Sequence, residues 1–394
     1  ELGRLVSILS RRFGVHRLGL CEDAAQTALL QATQSWSSQL PDNPGSWLYR
    51  VAHNYVLDEL RREKRDQRYL AEVDTQYTQQ EVNDDVLRLL FVCADPAIPP
   101  ESQLVLALKT LCGFSIEEIA LRLFQSKDAV NKRLQRARER LREHAVLQSP
   151  DPLRVAGVLH MQYLLFNEGY SSAQPDKVIR RELCDEALRL ALLLREDPAG
   201  ALPETDALIA LLCFHMARFD ARVDGQGGLL LLEEQDRELW DRELIQRGLD
   251  HLTRSARSDR VSRYHAEAGV AAEHCLAPSY AETNWQQIVG LYDVLERLAP
   301  SPLNVLNRAI ALAEWKGADA GLAELEAFEA PAWLLDYYLW DATLGELHRR
   351  RGDRERALLH TERALRAAPT NPEKNLLERR IAAAETLPPV RVEK

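Results

Sequence analysis

Between Lys127 and Arg142, seven Lys or Arg residues stand against two acidic ones. That density of cations suits the neutralising of phosphates better than it suits a reaction. Val130, Leu134, Ala137 and Leu141 recur at helical spacing and form a packing seam. At about 100° per residue, Asp128, Asn131, Lys132 and Gln135 fall opposite that seam, with Arg133, Arg136, Arg138, Arg140 and Arg142 flanking and extending the outer face. Upstream, Ser115 and Glu118 stand three apart, the spacing of a capping box, and Ile116, Ile119, Ala120 and Leu123 follow with helical period. Phe124, Gln125 and Ser126 separate the two segments. The spacing predicts a helix-turn-helix whose second helix presents polar groups to base edges and arginines to phosphates. A solvated basic helix has the same composition, so the rest of the chain must decide.

The chain has 394 residues, 28% of them charged and 46% hydrophobic, which describes a folded protein of two or three domains. No apolar run approaches the ~20 residues of a membrane span, and the N-terminus lacks a signal-peptide pattern, so a cytoplasmic, membrane-free protein is expected. The chain begins at Glu1 rather than Met, as a trimmed chain would. Its net charge of −10 is unevenly spread: residues 1–147 hold 20 basic and 20 acidic residues, leaving 30 and 40 in 148–394. The acidic second part should not lie along DNA. Cys21, Cys93, Cys112, Cys184, Cys213 and Cys275 are scattered with no CxxC pair, which points to buried free thiols and to no metal site.

In chain order, residues 2–16 and Glu22–Trp36 each read as an amphipathic helix. A polar loop, Ser37–Ser46, precedes a third helix from Trp47 to about Arg65. On this third helix Leu48, Ala52, Tyr55 and Val56 make an apolar face, while Arg50, Asn54, Leu57 and Arg61 share another. The run from Arg61 and Arg62 to Arg65 is strongly basic. The string ED-A-Q with a following tryptophan, then P-WL-R-VA-N-D-LRR, resembles the second region of bacterial extracytoplasmic-function sigma factors. The helix-turn-helix, with EIA in its first helix and V-x-x-R-L-x-R-A-R in its second, resembles their fourth region. The order of the two motifs and the short linker between them add to the likeness, which covers about residues 1–145.

The resemblance implies a transcription initiation factor that binds core RNA polymerase and promoter DNA. Asp23 and Gln26 would contact the polymerase. Arg50, Asn54, Arg61 and Arg62 would handle the −10 element, where unpaired bases need amide donors and cations. Trp47 is expected to anchor its helix rather than to stack on a base. Lys127, Asn131, Lys132 and Gln135 would read the −35 element, with Arg133, Arg136 and Arg138 on phosphates. The family often has a basic residue and a small hydroxyl where Asn131 and Lys132 stand, so the −35 preference is open.

Residues 1–66 are therefore assigned to region two, 67–84 to a loosely ordered linker, 85–147 to region four and 148–394 to a helical C-terminal domain. Helices are expected at Asp85–Asp95 and Pro99–Cys112. The fold class is all-α. Ala309 precedes Leu344, and Gly317 precedes Gly352, by 35 residues each. Together with Ala357, Ala364 and Pro369 these positions resemble tetratricopeptide units over about 300–385. Three strings, at Tyr163–Tyr170, Glu233–Asp241 and Ser301–Leu312, mix aromatics, amides and charges. They resemble the extension of a sigma-factor subgroup that carries a tetratricopeptide-like domain.

Two other classes stand beside this reading. Glu168, Glu233, Glu234, Asp236, Asp241, His251 and His265 could supply carboxylate–histidine catalysis, but no metal spacing, nucleophile elbow or phosphate loop accompanies them. Neither an enzyme nor a bound cofactor is expected. A helix-turn-helix regulator with a C-terminal sensing domain would share the basic helix but would have no use for the motifs of residues 1–65. The C-terminal domain is expected to bind a protein partner or to make an intramolecular contact.

Overall fold

The computed structural model describes residues 1–36, 40–62, 79–123, 125–144, 150–171, 179–225, 228–257 and 259–385, and over these residues the protein is all-α. One isolated bridge, between Val223 and Leu229, is the sole β pairing among the described residues. The chain divides into two compact units, Glu1–Phe166 with Arg189–Ala201, and Asn167–Leu188 with Leu202–Lys394.

The first unit opens with α1 (Leu2–Phe13), α2 (Leu18–Ser35) and α3 (Pro44–Arg62). Leu5, Val6, Ile8, Leu9 and Phe13 of α1 are buried, and Gly14 ends the helix at φ 91°, in the left-handed region that glycine tolerates. α4 (Gln79–Cys93), α5 (Pro100–Thr110), α6 (Ile116–Arg122) and α7 (Lys127–His144) follow, then the part of α8 (Val155–Tyr170) up to Phe166 and the part of α9 (Arg181–Glu196) from Arg189, the rest of both helices being counted with the second unit. At Gly3 the backbone of α1 comes so near the end of α5 that a Cβ would lie 2.6 Å from the Leu111 carbonyl oxygen.

Several boundaries differ from the sequence reading. α4 begins at Gln79, inside the segment read as linker, because its polar first turns belong to a helix whose later residues Val86, Leu87, Leu89 and Leu90 are buried. α3 begins three residues before Trp47, where Pro44 suits a first helical turn. The first unit also runs past the boundary drawn at 147. Val155, Val158, Leu159, Met161, Leu165 and Phe166 are buried, and the Arg154 guanidinium reaches the Phe91 carbonyl and, at 3.2 Å, the Asp95 carboxylate. Residues 37–39 of the polar loop, 63–65 of the basic run, Asp66, 67–78 of the linker and Phe124 of the turn lie outside the described residues.

The second unit contains α10 (Pro203–Met216), α11 (Arg242–Ser255), α12 (Arg263–Leu276), α13 (Trp285–Leu298), α14 (Pro302–Lys316), α15 (Ala318–Ala327), α16 (Ala332–Leu335), α17 (Tyr338–Arg351), α18 (Arg354–Ala367) and α19 (Asn371–Glu385). Successive helices pack as hairpins. Gly317 separates α14 from α15 at φ 95°, and Gly352 turns α17 into α18 at φ 86°, so the 35-residue interval falls on matching corners. Leu306, Ala309, Leu322, Leu325, Leu334, Trp340 and Leu347 form one core cluster here.

Candidate nucleic-acid interface

The helix-turn-helix is built as its sequence dictates. The Ser115 N–H donates to Glu118 Oε2 at 2.8 Å and the Glu118 N–H donates to Ser115 Oγ at 3.1 Å, the two bonds of a capping box. At the start of α7, Ser126 Oγ accepts from the Ala129 N–H at 3.1 Å. The seam residues Val130, Leu134, Ala137 and Leu141 are all buried, which fixes the rotation of α7.

That rotation exposes Lys127, Asn131, Lys132, Gln135 and Arg136. Asn131, Lys132 and Arg136 make no side-chain hydrogen bond or ion pair among the described residues. Gln135 donates to Glu139 at 2.8 Å, and Lys127 lies 2.9 Å from Glu117 in a solvated pair, whose Glu117 carboxyl sits below its usual range because of the Lys127 hydrogen bond. Such exposed pairs contribute little and exchange readily for a phosphate.

Two arginines depart from the expectation that they flank the outer face ready for phosphates. Arg133 is only partly exposed and lies 3.0 Å from Glu101. Arg138 turns inward, and its guanidinium donates to the Glu22 carboxylate, which is fully buried and also accepts from the Thr110 hydroxyl. Burial raises the Glu22 carboxyl above its usual range, against the opposing pull of Arg138 and Thr110. A second buried carboxylate repeats the pattern between α1 and α4, where Arg11 Nε lies 3.3 Å from Asp85. Sequence reasoning missed both pairs.

On α3, Arg50 and Asn54 are exposed, while Leu48, Ala52, Val56 and Leu60 are buried. Arg61 pairs with Asp58 at 3.0 Å and Arg62 with Glu59 at 2.6 Å, both one helical turn away and solvated. Trp47 meets Trp36 edge to face with ring centres 5.5 Å apart, so it helps to hold α3 against α2. His53, not singled out from sequence, is fully buried with its ring centre 5.3 Å from Phe13 and 5.5 Å from Tyr49. Burial, with Arg12 nearby, lowers its pKa and favours the neutral ring. Asp23 is exposed on α2 and Gln26 half-exposed.

Glu234, Asp236, Asp241, His251 and His265, five of the seven residues weighed for catalysis, are held by local structural partners. Glu234, Asp236 and Asp241 accept from the N–H groups of Leu231, Glu238 and Leu244 and so cap short helical segments. His251 Nδ1 lies 2.7 Å from Asp206, and His265 Nδ1 accepts from the Ser262 N–H at 3.1 Å. No group of His, Cys, Asp and Glu among the described residues could hold a metal ion. Five of the six cysteines are buried and Cys112 is partly so, all as free thiols. Among the described residues no helix is long and apolar enough to cross a membrane.

Residues 1–66 match the family Sigma-70 region 2, and residues 96–141 match Sigma-70, region 4. Residues 154–256 match a family of unknown function, DUF6596. An uncharacterised protein of Rhizobium meliloti (strain 1021) is 38% identical over 328 residues, an alignment that spans 78% of this chain and 77% of that one. No solved structure matches the chain.

Proposed function

This chain belongs to the sigma factors of the sigma-70 type, sharing its family with the Rhizobium relative, and we propose that it is an alternative sigma factor of the extracytoplasmic-function group. Promoter recognition and transcription initiation follow from the two regions it carries. In this reading Asp23 and Gln26 contact core RNA polymerase, Arg50, Asn54, Arg61 and Arg62 serve the −10 element, and Asn131, Lys132, Gln135 and Lys127 read the −35 element with Arg136 on phosphate. The observation that carries it is the outer face of α7, where Asn131, Lys132 and Arg136 stand exposed while the seam beneath them is buried. Arg133 and Arg138 can serve a phosphate only after Glu101 and Glu22 release them.

The 148–394 part is proposed as a tetratricopeptide-like extension that binds a protein partner. Its support is the helical hairpins with matching glycine corners and an excess of ten acidic residues over basic ones. The DNA-reading part of the proposal is tested by transcription from a promoter library with core RNA polymerase and either the wild-type chain or Gln135→Ala. Start sites that depend on the chain and shift in −35 preference with the variant are expected. Start sites indifferent to the chain would refute it.

A further inference from the structure

Glu234, Asp236 and Asp241 of the Glu233–Asp241 string cap helical turns, and its arginine packs within the second unit. Arg237 Nη1 donates to the carbonyls of His274 at 2.7 Å and Ala277 at 2.8 Å, and its guanidinium lies 4.4 Å from the Trp240 ring centre. Arg218, only 8% exposed, stands 5.5 Å from the same ring, and its Nε donates to Gln235 Oε1 at 3.2 Å. Arg222 lies 3.7 Å from the Tyr170 ring centre and donates to the Tyr170 carbonyl at 2.7 Å. Every one of these acceptors is neutral. Among the described residues no carboxylate pairs with Arg218, Arg222 or Arg237.

Buried cations without a counter-charge are costly, and ring faces and carbonyls offset only part of that cost. The same neighbourhood holds orphaned polar atoms: Arg237 Nη2, Trp240 Nε1 and His274 Nδ1 are buried with no hydrogen-bond partner, and Trp240 is 2% exposed. His274 is held neutral, with its pKa down to about 3, by burial and by the charges of Arg218 and Arg237. His215 is held neutral in the same way by burial, Arg218 and Arg222, which ties the three arginines into one electrostatic cluster. Arg222 and Arg237 keep partial exposure, so the cluster is reachable from solvent.

We propose that Arg218, Arg222 and Arg237, with Trp240 and His274, form an oxyanion site in the second unit that takes a phosphate or sulfate group. Three guanidiniums favour a doubly charged tetrahedral group over a single carboxylate, because each planar fork can donate two hydrogen bonds to it. The site is independent of the DNA-binding face, and its test does not involve transcription.

The experiment is thermal unfolding and titration calorimetry of the full chain in sodium phosphate, sodium sulfate, sodium acetate or sodium chloride at matched pH and ionic strength. Phenyl phosphate serves as a further arm, to separate free phosphate from a phosphomonoester. Phosphate about 100-fold above its Kd should raise the unfolding midpoint by about 5 °C relative to chloride, with acetate no better than chloride. Tighter binding of phenyl phosphate would assign the site to an ester, and tighter binding of phosphate to the free anion. Arg237→Gln should weaken phosphate binding at least about tenfold, and Arg237→Lys should recover part of it. Equal midpoints and no binding heat in all anions with the wild-type chain would overturn the proposal, as would an unchanged phosphate response in a folded Arg237→Gln variant. The wild-type titration decides the matter even if the variants fail to fold.

Discussion

The Arg138 guanidinium of region 4 donates to the fully buried Glu22 carboxylate of region 2, and the Thr110 hydroxyl donates to the same carboxylate. An arginine on the DNA-reading helix is thereby spent on holding the fold. Removing one partner of such a pair leaves the other charge stranded, at a cost of about 3 kcal/mol. Glu22→Ala should therefore lower the stability of the first unit by that order, measured as the shift in its urea unfolding transition. A loss below about 1 kcal/mol would mean that the pair contributes no more than a surface bridge.

Arg136 and Arg138 sit two residues apart on α7 and look alike in sequence, yet one is exposed and the other pinned. Arg136→Ala should reduce the salt dependence of promoter binding by the holoenzyme by about one phosphate contact, a change in log–log slope of roughly 0.9. Arg138→Ala should leave that slope nearly unchanged while destabilising the free chain. Equal slope changes in the two variants would show that Arg138 leaves Glu22 on binding.

The pair also marks where sequence reading stops. The seam of α7 and the capping box of α6 were legible because they rest on spacings of three and four residues within one helix. Glu22 and Arg138 are 116 positions apart, and nothing local to either separates Arg138 from its exposed neighbours. His53 is not legible in the sequence, because an isolated histidine on a helix carries no sign of the Phe13 and Tyr49 rings that pack against it. The start of α4 at Gln79 is hidden by a polar first turn, and the reach of the first unit beyond residue 147 by a change in composition that gives no sign of the buried residues between Arg154 and Phe166.

Arg154 makes that last difference testable. Its buried guanidinium joins the Phe91 carbonyl and Asp95, so Arg154→Ala should leave both unmet and cost about 1–3 kcal/mol in the same urea transition. A chain cut at residue 150 should likewise unfold earlier than the first-unit transition of the full chain. An unchanged transition in the cut chain would show that region 4 needs nothing beyond residue 147.

In the second unit, burial works against the charge of Glu346, but the Arg349 hydrogen bond, Arg380 and Arg350 overcome it and bring the carboxyl down to about 2. A folded pKa below the unfolded value of about 4.5 gives stability that is complete above that value and lost as pH falls from there toward 2. Acidification through this window should therefore remove on the order of 2–3 kcal/mol. Glu346→Gln should flatten that loss and be the less stable protein at neutral pH, as read from urea midpoints at several pH values.

The central claim is tested most directly by mixing the full chain with core RNA polymerase and separating the complex by size before any DNA is added. A stoichiometric complex is expected, weakened by Asp23→Ala together with Gln26→Ala, and it should bind promoter DNA that the free chain binds weakly. A chain that stays apart from core polymerase yet binds duplex DNA tightly by itself would contradict the account and make it a helix-turn-helix regulator.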